Sequence, residues 1–202
     1  MLEASDLQCE RGGRELFRGL GFSLQAGEAL RIEGANGSDK TSLLRILAGL
    51  LTPEQGSVLW QGQDAARLRE EYSKALVYLG HAAAVKDELT AAENLSIACR
   101  IAGDSIPEEA AGAALAHLGL SGLDVPVKRL SQGQRRRAAL ARLAFSAGRP
   151  LWLLDEPFSA LDAAGVSLIS ALLLEHTKRG GCIVFTTHQD PGIAVARVIG
   201  LG

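Results

Sequence analysis

Residues 29–42 constrain the fold most, because a strand, a glycine-rich turn and a helix follow one another there without a spare residue. Ala29-Leu30-Arg31-Ile32-Glu33 is an apolar-periodic run that reads as a strand, and Leu43-Leu44-Arg45-Ile46-Leu47-Ala48 has helical spacing and strong helix formers. Between them lies Gly34-Ala35-Asn36-Gly37-Ser38-Asp39-Lys40-Thr41-Ser42. In such a turn the free N–H groups of the loop and of the helix start converge on an anion. Lys40 then reaches terminal phosphates, and the Thr41 hydroxyl is a ligand for Mg²⁺.

The phosphate-loop pattern is broken at one position. The glycine expected before the lysine is Asp39. Glycine suits that place because the backbone must approach the phosphates without a Cβ in the way. A carboxylate adds bulk and a like charge. At an effective dielectric constant of ~20, one negative charge about 5 Å from a phosphate charge costs roughly 3 kcal/mol, about a hundredfold in affinity.

The chain of 202 residues is long enough for one large domain, or one domain with an inserted subdomain. Its formal net charge of -2 carries no polyelectrolyte signal, so no nucleic acid is expected as a partner. No apolar run approaches the ~20 residues needed to span a bilayer, and the first residues lack the basic stretch of a signal peptide. Cys9, Cys99 and Cys182 sit among apolar neighbours and read as reduced packing residues.

Short strands are expected over Leu2 to Gln8 and Gly21 to Leu24, then a hairpin strand from Ser57 to Trp60. A helix capped by Asp64 runs to about Ser73 and precedes a strand from Ala75 to Leu79. From His81 to Ser146 the texture becomes alanine-rich, with helices expected over Thr90 to Ala102, Pro107 to Leu118 and Gln134 to Ala147. Thr90-Ala91-Ala92-Glu93 is a capping box. A strand from Leu151 to Leu154, a helix from Ala163 to about Lys178, and strands from Cys182 to Phe185 and near Val198-Ile199 complete the reading.

The strand Leu151-Trp152-Leu153-Leu154 ends in Asp155-Glu156. A buried parallel strand presents its C-terminal end at the ligand edge of an α/β sheet, where Asp155 would serve Mg²⁺ and Glu156 would polarise a water. Leu130-Ser131-Gln132-Gly133-Gln134 leads into a helix whose N-terminus is either a second anion site or a plain N-cap. Arg135-Arg136-Arg137 read as a solvated face or a partner contact. His188 follows a strand and is placed to touch a γ-phosphate.

In this order the motifs resemble the nucleotide-binding domain of ABC transporters, over nearly the whole chain. Gly34 to Ser42 resembles Walker A, Leu130 to Gln134 the LSGGQ signature with Gln132 for a glycine, and Leu151 to Glu156 Walker B. Ser159-Ala160-Leu161-Asp162 resembles the D-loop and His188 the switch histidine. The signature and the D-loop are the specific parts. The resemblance implies an α/β phosphate-loop NTPase with a RecA-like core, an antiparallel β subdomain and an inserted helical subdomain. Residues 1–80 and 147–202 would form the core and β subdomain, and residues 81–146 the helical part. It also implies ATP and Mg²⁺, with Gly34, Ala35, Asn36, Gly37, Ser38, Asp39, Lys40, Thr41 and Ser42 on the nucleotide and Thr41 and Asp155 on the metal. Glu156, Lys40 and His188 would be the catalytic groups. Two copies would pair head to tail, so that Ser131, Gly133 and Gln134 act on the partner's ATP.

Arg11 stands where the family places an adenine-stacking aromatic, and would stack as a cation instead. No glutamine lies in Gly80-His81-Ala82-Ala83, where the family has one that ligates Mg²⁺; His81 would replace it. Tyr78-Leu79-Gly80-His81, Glu88 to Leu95 and Trp152 are similar to the ATP-binding subunits of the haem exporters of cytochrome c maturation. That likeness implies a peripheral subunit on the cytoplasmic face of a bacterial inner membrane. Integral membrane subunits would be its partners, and haem would not be bound directly. The alternatives are a docking subunit whose nucleotide site is impaired by Asp39, the ATPase of another small exporter, and a soluble ABC ATPase.

Overall fold

The computed structural model describes residues 1–34, 39–122, 124–189 and 191–201. Two sheets are present among them, one of four strands and one of five.

The first sheet is antiparallel. β1 (Leu2–Arg11) pairs with β2 (Arg14–Leu24) on one side and β4 (Gln55–Trp60) on the other, and β5 (Gln63–Asp64) extends β4. Gly12 and Gly13, both at positive φ, supply the tight turn between β1 and β2. β2 is far longer than the sequence reading, because residues 14–20 pair across the hairpin with β1 although Arg14, Glu15, Arg18 and Gly19 break up their apolar pattern. β1 is irregular at Asp6, whose φ is 51°. Gly56 passes so close to this irregularity that a Cβ there would lie 2.4 Å from the Asp6 carbonyl oxygen.

The second sheet is parallel throughout: β6 (Leu76–Leu79), β7 (Leu151–Leu154), β8 (Cys182–Thr186), β3 (Ala29–Gly34) and β9 (Arg197–Leu201). Both faces are covered, so β7 and β8 are buried at every position and almost wholly apolar. Alternate side chains enter different cores. Leu151, Leu153, Cys182 and Val184 join the β1, β2 and β4 side chains and α1 (Lys40–Leu47). Trp152, Leu154, Ile183 and Phe185 join α4 (Ala91–Ile101), α5 (Glu108–His117), α6 (Gln132–Leu140) and α7 (Ala163–Lys178). In this second core the His176 ring stacks on Trp152, with centroids 3.7 Å apart.

The capping box at Thr90 is present, with the Glu93 carboxylate accepting from the Thr90 amide at 2.8 Å. Two helix expectations are corrected. The helix after Asp64 divides into α2 (Ala65–Leu68) and α3 (Glu70–Ala75), because Arg69 has φ 42° and interrupts it. The helix expected from Gln134 starts at Gln132, where Ser131 caps it, and after Leu140 it tightens into a 3₁₀ segment, Ala141–Phe145. Cys9, Cys99 and Cys182 are free thiols and buried, and no helix is long and apolar enough to cross a membrane among the described residues.

Candidate functional site

The strands β3, β7 and β8 lie side by side, so the segments that leave their C-terminal ends meet at one sheet edge. β3 delivers Gly34 and, through the turn, the start of α1 with Lys40 and Thr41. β7 delivers Asp155 and Glu156, and β8 delivers Thr186 and His188. Ala35, Asn36, Gly37 and Ser38 lie outside the described residues.

Hydrogen bonds knit these ends together. The Thr41 hydroxyl donates to Asp155 Oδ2 at 2.7 Å, and the Thr186 hydroxyl donates to Asp155 Oδ1 at 2.8 Å. Thr186 Oγ1 also accepts from the Glu156 amide at 2.7 Å, so one hydroxyl fixes both carboxylate-bearing residues. Lys40 Nζ donates to the Gly34 carbonyl at 2.8 Å and lies 3.5 Å from His188 Nε2. His188 Nε2 is in turn 3.2 Å from Glu156 Oε1, a buried oxygen. Glu156 has φ 52°, unusual for a side chain of this kind, which turns it from the line of β7 toward His188. Asp155 is 2% exposed and Lys40 5%, so their charges act in a poorly screened setting.

Asp39 is the N-cap residue of α1 and is 5% exposed. Its backbone is right-handed helical, φ -57°, so no glycine is required there for conformation. What the substitution adds is a Cβ and a buried charge at the helix N-terminus. The Cys9 thiol registers that charge: burial pushes it up, Asp39 and Glu54 push it further, and Arg11 opposes them. Arg11 itself is exposed at the end of β1.

Thr41 and Asp155 suit a hard cation that keeps most of its waters, since two oxygens carrying one carboxylate charge are what Mg²⁺ takes from a protein when phosphates supply the rest. Ser42 is buried in α1.

The signature-like segment holds its own helix end. Ser131 Oγ accepts from the Gln134 amide at 3.2 Å, and Gln134 Oε1 accepts from the Ser131 amide at 2.9 Å. The plain N-cap reading of these two side chains is therefore present within the chain. Gly133 faces the loop after Glu156, where a Cβ would lie 2.6 Å from the Ala160 carbonyl oxygen. The His81 ring is exposed and makes no hydrogen bond among the described residues, while its carbonyl is held from α6.

Two residues with a part in this geometry were not assigned one from sequence. Thr186 lies just beyond the strand expected from Cys182 to Phe185, and Arg136 is one of three arginines that read as a solvated face or a partner contact. Arg136 is 4% exposed and donates to backbone carbonyls on two loops. A hydroxyl one residue beyond an apolar strand was the available signal for Thr186; a run of arginines gives none for which one is buried.

The sequence profile of the ABC transporter family matches residues 17–159. The chain belongs to the ABC transporter family. It is 52% identical over 196 residues to the cytochrome c biogenesis ATP-binding export protein CcmA of Aromatoleum aromaticum, covering 96% of this chain and 92% of that protein. It is 49% identical to the CcmA of Dechloromonas aromatica, covering 98% and 97%. These likenesses put it in the CcmA group of that family. Among solved structures, a bacterial ABC transporter cassette in dimeric form superposes with a TM-score of 0.83 at 24% identity, over 100% of this chain and 94% of the cassette. An ATP-binding subunit of an ABC transporter does so at 0.80 and 25%, over 93% and 79%. The fold is thus that of an ABC ATPase, a mixed α/β phosphate-loop NTPase that binds nucleotide.

Proposed function

We propose that this ABC ATPase powers a haem exporter used in cytochrome c biogenesis, coupling ATP hydrolysis to haem transport or to release of a haem chaperone. The observation that carries the site assignment is the convergence of Lys40, Thr41, Asp155, Glu156 and His188 through contacts of 2.7–3.5 Å. Lys40 and the loop amides, from Gly34 to Ser42, hold the β- and γ-phosphates. Thr41 and Asp155 hold Mg²⁺, which when bound neutralises phosphate charge. Glu156 takes the proton of the attacking water, and His188 steadies the γ-phosphate from the other side. Arg11 stacks on the adenine.

A second copy of the chain, paired head to tail, brings its Ser131, Gly133 and Gln134 to this nucleotide. Residues 1–80 and 147–202 act as the catalytic unit with its β subdomain, and residues 81–146 as a helical subdomain. The assembly sits on the cytoplasmic face of a bacterial inner membrane against integral subunits that choose the cargo, and haem does not touch this chain. The names of the CcmA relatives support the exporter role.

Glu156→Gln tests the reading: turnover should fall by about 10²–10³ while Mg-ATP affinity stays within about threefold. Full partner-coupled turnover in that variant would sink the role of Glu156. A second reading, a docking subunit with an impaired site, is favoured by one observation, the buried Asp39 beside Lys40.

A further inference from the structure

Arg136 projects from α6 into the angle between β6 and β7 and is 4% exposed. Its guanidinium makes four hydrogen bonds, all to backbone carbonyls. Nη1 donates to Gly80 and His81, both at 3.1 Å, on the loop that leaves β6. Nη2 donates to Asp155 and, at 2.9 Å, to Glu156, on the loop that leaves β7. One planar fork thus ties two neighbouring strand ends to the helix that begins at Gln132.

The Glu156 end of this tie is its most informative part. A non-glycine residue at φ 52° is held there by its surroundings rather than by its own preference. Its amide is held by Thr186 and its carbonyl by Arg136. Burial draws the guanidinium down from its usual range, and the charges of Asp155 and Glu156 oppose that, so the cation is sustained by the carboxylates it helps to place.

We propose that Arg136 is a positioning residue for hydrolysis: it locks the Glu156 backbone in its turned conformation and links the 80–81 loop and α6 to it, so that displacement of either moves the base. This rests on Glu156 being the base. Arg136 touches no reacting atom. Its neighbour Arg135, which bonds Asp87 and the Val127 carbonyl, is the control on the same helix turn.

The test uses the full chain carrying Asp39→Gly, so that the loop carboxylate does not mask turnover, and compares Arg136→Gln, Arg136→Lys and Arg135→Gln. Arg136→Gln should lower kcat at least tenfold with KM within about threefold. Amide exchange should rise in residues 80–86 and 155–161 together, with the remaining peptides unchanged. Arg136→Lys keeps the charge without the fork, and should lose at least fivefold in kcat with the same paired exchange change. Arg135→Gln should do neither. The proposal is overturned if both Arg136 variants turn over at the parental rate, if exchange rises in one segment alone or in neither, or if exchange rises throughout the chain in both variants. Should Glu156→Gln leave turnover intact, the base assignment fails on its own, and the exchange measurements still decide whether Arg136 joins the two loops.

Discussion

Replacing Asp39 by glycine should strengthen Mg-ATP binding and weaken the fold slightly, two effects of opposite sign from one side chain. Asp39 is 5% exposed, so its charge is screened less than that of a surface carboxylate, and an effective dielectric constant of ~20 is the appropriate scale. At about 5 Å from one phosphate charge this gives roughly 3 kcal/mol, about a hundredfold in Kd. Asp39 also occupies the N-terminus of α1, where the helix field that would attract a phosphate is already partly met by its carboxylate. That favourable placement is lost in the glycine variant, at a cost of about 0.5 kcal/mol in stability. Calorimetric titration of Mg-ATP into the parent, Asp39→Gly and Asp39→Asn separates charge from bulk. The asparagine variant should recover most of the gain, because it keeps the volume and removes the charge. Affinities within about threefold across all three would refute the charge argument, and no gain in asparagine with a full gain in glycine would put the whole effect on the Cβ and its substituents.

Thr186→Val should destabilise the fold by about 3 kcal/mol, since it leaves Asp155 Oδ1 and the Glu156 amide without the hydroxyl in a fully buried position, and Thr186→Ser should restore most of it. Chemical denaturation of the three chains checks this; a parental midpoint for the valine variant contradicts it. His176, pushed down to about 4 chiefly by burial, is neutral in the fold and gains a proton on unfolding below its ordinary value of 6.5. Its contribution is therefore complete above that value and is lost as the pH falls from about 6.5 toward 4, an effect of about 1–2 kcal/mol after allowance for solvent screening. Thermal unfolding across that range should show a shallower acid loss in His176→Phe, which retains the stack on Trp152.

Much of the candidate site is legible in the sequence because its groups are attached to strong local signals. Lys40 and Thr41 open a helix, Asp155 and Glu156 close an apolar strand, and His188 follows another. The strand Leu151–Leu154 and the helix Ala163–Lys178 lie where periodicity puts them. Arg136 and Thr186 are not legible because their partners are distant in sequence: 19–20 residues for the Arg136 bonds to Asp155 and Glu156, and 31 for Thr186 to Asp155. The length of β2 escapes for a similar reason. Arg14, Glu15, Arg18 and Gly19 interrupt the strand signal of its outer part, and the pairing with β1 supplies what they take away. Arg69 breaks its helix without glycine or proline to announce it.

The strand order of the parallel sheet has a consequence for synthesis on the ribosome. β3, which carries the phosphate-binding loop, has β8 on one side and β9 on the other, and neither exists until residues 182–201 have been made. Lys40 and His188, 3.5 Å apart in the finished molecule, are separated by 148 residues of chain. At ~5–20 residues per second that interval lasts roughly 7–30 s. During it the emerging N-terminal hairpin has its own partners, but the loop has no flanking strands to shape it. The sheet edge that gathers Lys40, Asp155 and His188 is therefore completed only after residues 182–201 have been made.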